Sequence, residues 1–107
     1  MALIGIYGEH TVEHCPLNNP EVARRIVAFG EHDPGELLAR HGIERIVSQY
    51  HSALEHTFLW VVEAADVHGV QAFCVEGGLA AFNTLRIVPL ITFADHVVPE
   101  AKRIHDL

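Results

Sequence analysis

Apolar and polar residues alternate over the first ten positions. Ile4, Ile6, Gly8 and His10 fall on one side of an extended chain, and Leu3, Gly5, Tyr7 and Glu9 on the other. This period of two predicts a strand over 2–10. The pattern then lengthens. Asn19-Pro20 supplies an N-cap followed by proline at the first helical position. Val22, Ile26 and Phe29 follow at helical spacing and form an inward face, which Gly30 interrupts. Asp33-Pro34-Gly35-Glu36 has the form of a second start of the capping-box kind, and Gly42 is a natural C-terminal stop. Segments 43–51 and 56–64 are strand-like, and the four residues Ser52 to Glu55 between them suit a hairpin loop. Asp66 can cap a helix running to about Glu76, which Gly77-Gly78 ends. A last strand covers 84–91. Pro89 cannot donate a ladder hydrogen bond, which places that strand at an edge or gives it a bulge. A short helix can start at Pro99.

The order is β-α-β-β-α-β, the split βαβ or ferredoxin-like plan. It predicts one α+β domain over 1–107, with helices on one face of a four-stranded antiparallel sheet. The other face should be polar if it met water. On the third strand, however, Phe58, Trp60 and Val62 alternate with Leu59 and Val61, so both faces need cover. The chain has helices for one face only. The second face therefore most simply packs against another copy, giving a homodimer.

The segment Val61-Val62-Glu63-Ala64-Ala65-Asp66, followed by a helix and then Leu85-Arg86-Ile87-Val88-Pro89-Leu90, is similar to the third strand, second helix and fourth strand of the dimeric α/β-barrel superfamily. Within it the chain resembles the small bacterial GYD-type, stress-responsive and antibiotic-biosynthesis-monooxygenase-like proteins. Members include haem-degrading enzymes, cofactor-free monooxygenases, isomerases and proteins of unknown role, so the resemblance implies a fold and a dimer without naming an activity.

Composition narrows the partners. Half of the 107 residues are hydrophobic and the mean hydropathy is +0.20, which fits a chain that hides apolar surface in an oligomer. The formal net charge of -7 argues against nucleic acid and against an anionic membrane surface. Arg24-Arg25 and Lys102-Arg103 are the only basic pairs. The apolar start, Met1 to Ile6, is short and has no basic leader, so it reads as a buried strand rather than a signal peptide or a membrane span. Cys15 and Cys74 form no CxxC motif and are expected to be reduced, in a cytoplasmic protein.

The unusual count is nine histidines. In the ferredoxin-like strand order, His10 closes the first strand, His51 closes the second and His56 opens the third, all at one end of adjacent strands. His51 and His56 flank the hairpin loop and can face each other with Cβ atoms about 5 Å apart. His14 lies about 13 Å from His10 if the chain stays extended, too far to share an ion. It can join only if the chain turns after Thr11, which Cys15-Pro16 and Asn18-Asn19-Pro20 favour. That turn would bring Glu13 and Cys15 to the same edge. His10, His14, His51 and His56 are thus the candidate metal ligands, with Glu13 as a general base and Cys15 as nucleophile or further ligand. Imidazole, carboxylate and thiolate suit zinc, iron, nickel or copper. The His-x-x-x-His spacing of His10 and His14 resembles that of sulfur oxygenase reductase, a larger enzyme of the same superfamily that holds iron with two histidines and a glutamate. Haem stays open, since one histidine and an apolar cavity suffice. No HExxH motif, P-loop, dinucleotide fingerprint or Ser-His-Asp arrangement occurs.

Three functional readings follow. The first is a metalloprotein or metal-dependent enzyme with a small-molecule pocket around Phe58 and Trp60. The second is a metal-free barrel, whether a cofactor-independent enzyme or a ligand-binding module, with His10 and His56 as acid and base. The third is a structural or interaction domain. Glu63, mid-strand in an apolar run, is either a cavity acid whose burial would raise its pKa or a strand-edge or interface hydrogen-bonding group. Cys74 reads as core, and His32, His41, His68, His96 and His105 as surface residues.

Overall fold

The computed structural model describes residues 1–107. Its sheet contains β1 (Ala2–Glu9), β2 (Ile43–Ser52), β3 (Thr57–Ala64) and β4 (Thr84–Leu90). Its helices are α1 (Pro20–Glu31), α2 (Gly35–Arg40), α3 (Val67–Glu76) and α4 (Val98–His105). The strand order is β2-β3-β1-β4, and every neighbouring pair is antiparallel. β4 is therefore an edge strand, as Pro89 requires.

Local chemistry accounts for the boundaries. The Asn19 side chain accepts hydrogen bonds from the backbone N–H groups of Glu21 and Val22, starting α1. Asp66 does the same for α3 through the N–H of Gly69. The chain leaves α2 through Gly42, at φ +68, a left-handed conformation that glycine adopts without steric cost. Gly30 does not break α1, which runs on to Glu31. It occupies the last turn, where a glycine costs the helix least. α2 begins at Gly35 after Asp33 accepts a hydrogen bond from the Gly35 N–H.

The register sets the two faces. Ile4 lies opposite Val62, Ile6 opposite Trp60 and Gly8 opposite Phe58. Ile6 and Gly8 also lie beside Ile87 and Leu85 of β4. On this face Ile4, Ile6, Val62, Val70, Phe73 and Cys74 are almost fully buried under the helices, with Ile26, Phe29, Leu37 and Trp60 packed around them. α3 approaches the chain before β2 so closely that a Cβ on Gly69 would collide with the His41 carbonyl oxygen. Nearby, Arg40 and His41 at the end of α2 both pair with Glu76 of α3. His41 is thus tied between two helices, where the sequence predicted a surface residue.

The opposite face carries Leu3, Tyr7, Leu59, Val61, Val88 and Leu90, all half-buried, with the Arg86 guanidinium 5.2 Å above the Tyr7 ring. Glu63 lies on this face too. The hydrogen bond from Arg45 (2.8 Å) holds its carboxyl below the usual range. Of the two readings of Glu63 the hydrogen-bonded one holds, and the cavity acid with a raised pKa is corrected: the bond from a cation across the strand pair outweighs partial desolvation. After β4 the chain makes a wide turn over Phe93–Val97 and enters α4 one residue before Pro99. Every residue from Ile91 to Leu107 is exposed. No helix is long and apolar enough to cross a membrane.

Candidate metal centre

The chain assembles the site from three segments at one end of the sheet. The first begins where β1 stops. The His10 N–H donates to the His56 carbonyl (3.1 Å), extending the β1–β3 ladder by one bond. His10 lies two residues beyond Gly8, so it shares the helix-covered face, and it is only 9 % exposed. The chain then winds into a tight turn over Val12–His14. The N–H of His14 donates to the Thr11 carbonyl, and that of Cys15 to the Val12 carbonyl. The N–H groups of Asn18 and Asn19 donate to the Cys15 carbonyl (2.9 Å each), while their side-chain amides donate to the carbonyls of Val12 and Glu13. These bonds reverse the chain and place Cys15 beneath it, fully buried.

The second segment is the β2–β3 hairpin. Its last loop residue, His56, donates its N–H to the Ser52 carbonyl (2.9 Å) and is held at φ +57. Histidine visits that left-handed region uncommonly, although more often than most residues. The third segment is the approach to β4, where Asn83 accepts from His10 Nδ1 at 2.7 Å.

The donor atoms of His10, Cys15 and His56 all lie within 4.8 Å of one another. Two nitrogens and one sulfur around a tetrahedral zinc ion lie about 3.3–3.5 Å apart, so the three need to draw in by up to about 1.5 Å. His10 Nε2 and His56 Nδ1 are buried without a hydrogen-bond partner. Each such atom costs about 1–3 kcal/mol in a metal-free chain, and both lie on residues that share the cluster with one buried thiol. His51 stands next to the cluster. Its Nε2 lies 3.8 Å from Cys15 Sγ, and its ring stacks on His10 with centroids 5.4 Å apart.

His14 and Glu13 are not brought into this cluster. His14 is exposed, with Nδ1 2.8 Å from the Thr11 hydroxyl oxygen. Glu13 is exposed as well, and hydrogen bonds from its own backbone N–H and from Thr11 hold its carboxyl below the ordinary value. Chain reversal inside one short turn buries Cys15 and leaves its two predecessors outside. Cys74 sits in the core, where burial pushes its thiol up to about 11, a neutral group rather than a ligand. Asn83 is a site residue that the sequence did not reveal. A lone asparagine before a strand reads as a turn residue, and nothing in its spacing points to His10.

Of the cluster, His10 lines a groove of about 580 Å³, together with His51 and Asn83 and with Leu17, Ile26, Trp60 and Phe82 among its apolar walls. His51 has a lowered pKa because its packed ring face loses water, and because His10 and His56 would add charge beside it. The neutral imidazole is then the form the fold favours. In the metal-free protein the contribution of His51 to stability is complete above the unfolded pKa of about 6.5 and is lost as pH falls below it. Chemical denaturation between pH 7.5 and 5 should show that loss, with a shallower dependence in His51→Gln. An equal slope in the two proteins would assign it to other groups.

The comparisons with known proteins bear on this arrangement through the fold. The sheet, its strand order and its helices match the crystal structure of a dimeric ferredoxin-like protein from an uncultured marine organism. The TM-score is 0.51 and the identity 14 %, over 89 % of this chain and 97 % of that one. The fold is ferredoxin-like. The ferredoxin-like plan explains why the three histidines meet, because β1, β2 and β3 are neighbours whose ends or starts coincide at one edge. No protein-family model matches the sequence, and neither does any curated protein.

Proposed function

We propose that this chain is a metal-binding protein whose ferredoxin-like domain pairs with a second copy, and that His10, Cys15 and His56 hold one transition-metal ion. The observation that carries the reading is the pair of buried, unpartnered ring nitrogens beside a buried thiol. One thiolate and two imidazoles, with no carboxylate in the cluster, favour zinc or copper over magnesium or calcium, and over iron held by two histidines and a carboxylate. Three protein donors leave a fourth position. His51 can fill it as a Cys-His-His-His set, or a ligand can reach it from the groove. Catalytic zinc sites keep such an open position, and a bound ion there supplies a Lewis acid. The apolar walls then hold a small, largely apolar molecule while His51, which lines the groove, carries protons. Pairing of two copies rests on the half-buried apolar face of the sheet and on the dimeric state of the structural neighbour.

Elemental analysis of untagged protein tests the metal. About one equivalent per chain is expected, falling below a tenth in a Cys15→Ala, His56→Ala double variant that keeps its circular dichroism spectrum. Substoichiometric metal after incubation with zinc or copper(I) would end the proposal. It would favour instead a metal-free acid–base site, for which the Cys15–His51 contact is the starting point.

A further inference from the structure

We infer that Asn83 is a positioning residue that fixes His10 as the Nδ1–H tautomer, so that the buried, unpartnered Nε2 carries the lone pair a metal ion would take. The inference deepens the metal reading above, yet its first step concerns the metal-free chain.

The amide nitrogen Nδ2 of Asn83 donates to the carbonyl of Leu79, at 3.0 Å. Leu79 opens the short turn Leu79–Ala81 after α3, and its side chain is buried in the core. A carbonyl oxygen accepts and never donates, so the Asn83 atom facing it must be the NH₂ group. The orientation of the amide is thereby fixed, and its other end, Oδ1, lies 2.7 Å from His10 Nδ1. An amide oxygen also only accepts, so Nδ1 must carry a proton. A neutral imidazole has one N–H, and His10 Nε2 is therefore unprotonated.

That assignment explains the buried atom without a partner. Nε2 is a bare lone pair, held at the cluster by a ring that cannot turn away without breaking the Asn83 bond. Metal-binding histidines commonly donate their second N–H to an acceptor that fixes tautomer and ring orientation. Asn83 is such an acceptor, 73 residues along the chain from the ring it orients. A chain of one carbonyl, one amide and one imidazole thus runs from the core to the candidate metal position.

Two-bond ¹H–¹⁵N spectra of the metal-free, ¹⁵N-labelled protein at pH 8 read the tautomer directly. The expected result for His10 is a protonated-type shift at Nδ1 and an unprotonated-type shift at Nε2. Asn83→Leu should lose that preference and move His10 toward Nε2–H, whereas Asn83→Asp, which keeps the acceptor, should retain Nδ1–H. Zinc affinity, measured by competition with a chelating dye, should fall by about 10- to 100-fold in Asn83→Leu and recover in Asn83→Asp. An Nε2–H tautomer in the wild-type protein would overturn the inference. So would retention of the Nδ1–H form in Asn83→Leu, and Asn83→Asp keeps the test decisive if that variant fails to fold. A wild-type protein that shows the Nδ1–H tautomer and binds no zinc would end the metal proposal and leave the role of Asn83 standing.

Discussion

His56→Asn is expected to abolish the thermal stabilisation that zinc gives, while the metal-free variant melts at or slightly above the metal-free wild type. Two costs attach to His56 in the metal-free chain. Its backbone is held at φ +57, a region that costs an L-residue about 1–2 kcal/mol and that asparagine tolerates better. Its Nδ1 is buried without a partner, which costs about 1–3 kcal/mol. Against these stand the contacts of a half-buried ring, among them an edge contact with His10 at 6.1 Å between centroids. The terms nearly offset, and the variant should stay within about 1 kcal/mol of wild type, roughly 4–8 °C for a domain of this size. Zinc at a hundred times its dissociation constant should add about 2.7 kcal/mol to the wild type, a shift of 10 °C or more, and none to His56→Asn. Melting curves in chelator and in excess zinc make the comparison. A His56→Asn protein that melts far below the metal-free wild type would identify His56 as a packing residue.

The contrast between backbone cost and chemical use also marks where sequence reasoning stops. The strands and caps are local properties. Asn19 and Asp66 cap where their spacing predicts, and the hairpin from His51 to His56 forms where alternation breaks. The convergence of His10, His51 and His56 is topological, so it too could be reasoned before any register was known. β2 shows what local reading cannot reach. Its pairing with β3 shifts between Ile43 and Arg45 and again between Ile46 and Ser48. These bulges let Ile43 and Ile46, three residues apart, both join the core, against the period of two. The site depends on equally nonlocal facts. A Cβ on Gly8 would collide with the Phe58 ring, so that glycine admits the aromatic beneath the histidines. The turn after Thr11 was legible in outline, but which of Glu13, His14 and Cys15 it would bury was not. That choice is made by the amides of Asn18 and Asn19, bonding back to Val12 and Glu13.

The proposed pairing of two copies makes the second large prediction: Val61→Asp should be monomeric and should still bind metal. Val61 lies opposite Gly5 of β1, and Gly5 lies opposite Val88 of β4, so Val61 sits near the middle of the apolar face. A two-fold interface presents each substitution twice. Two carboxylates would then be buried in apolar surroundings close to each other, with no cation supplied by the same change. Breaking an apolar interface this way costs several kcal/mol per buried charge. In the separated chain the same aspartate meets water, so the fold itself should lose little. The His10–Cys15–His56 cluster lies on the other face, with Gly8 and Phe58, so metal content per chain should stay at the wild-type value. Light scattering at tens of micromolar should give twice 11.9 kDa for the wild type and 11.9 kDa for Val61→Asp. A wild-type mass of 11.9 kDa would show that the apolar face is left to something other than a second copy. A dimeric Val61→Asp would move the contact away from the sheet, and the exposed arm from Ile91 to Leu107 would be the next segment to remove.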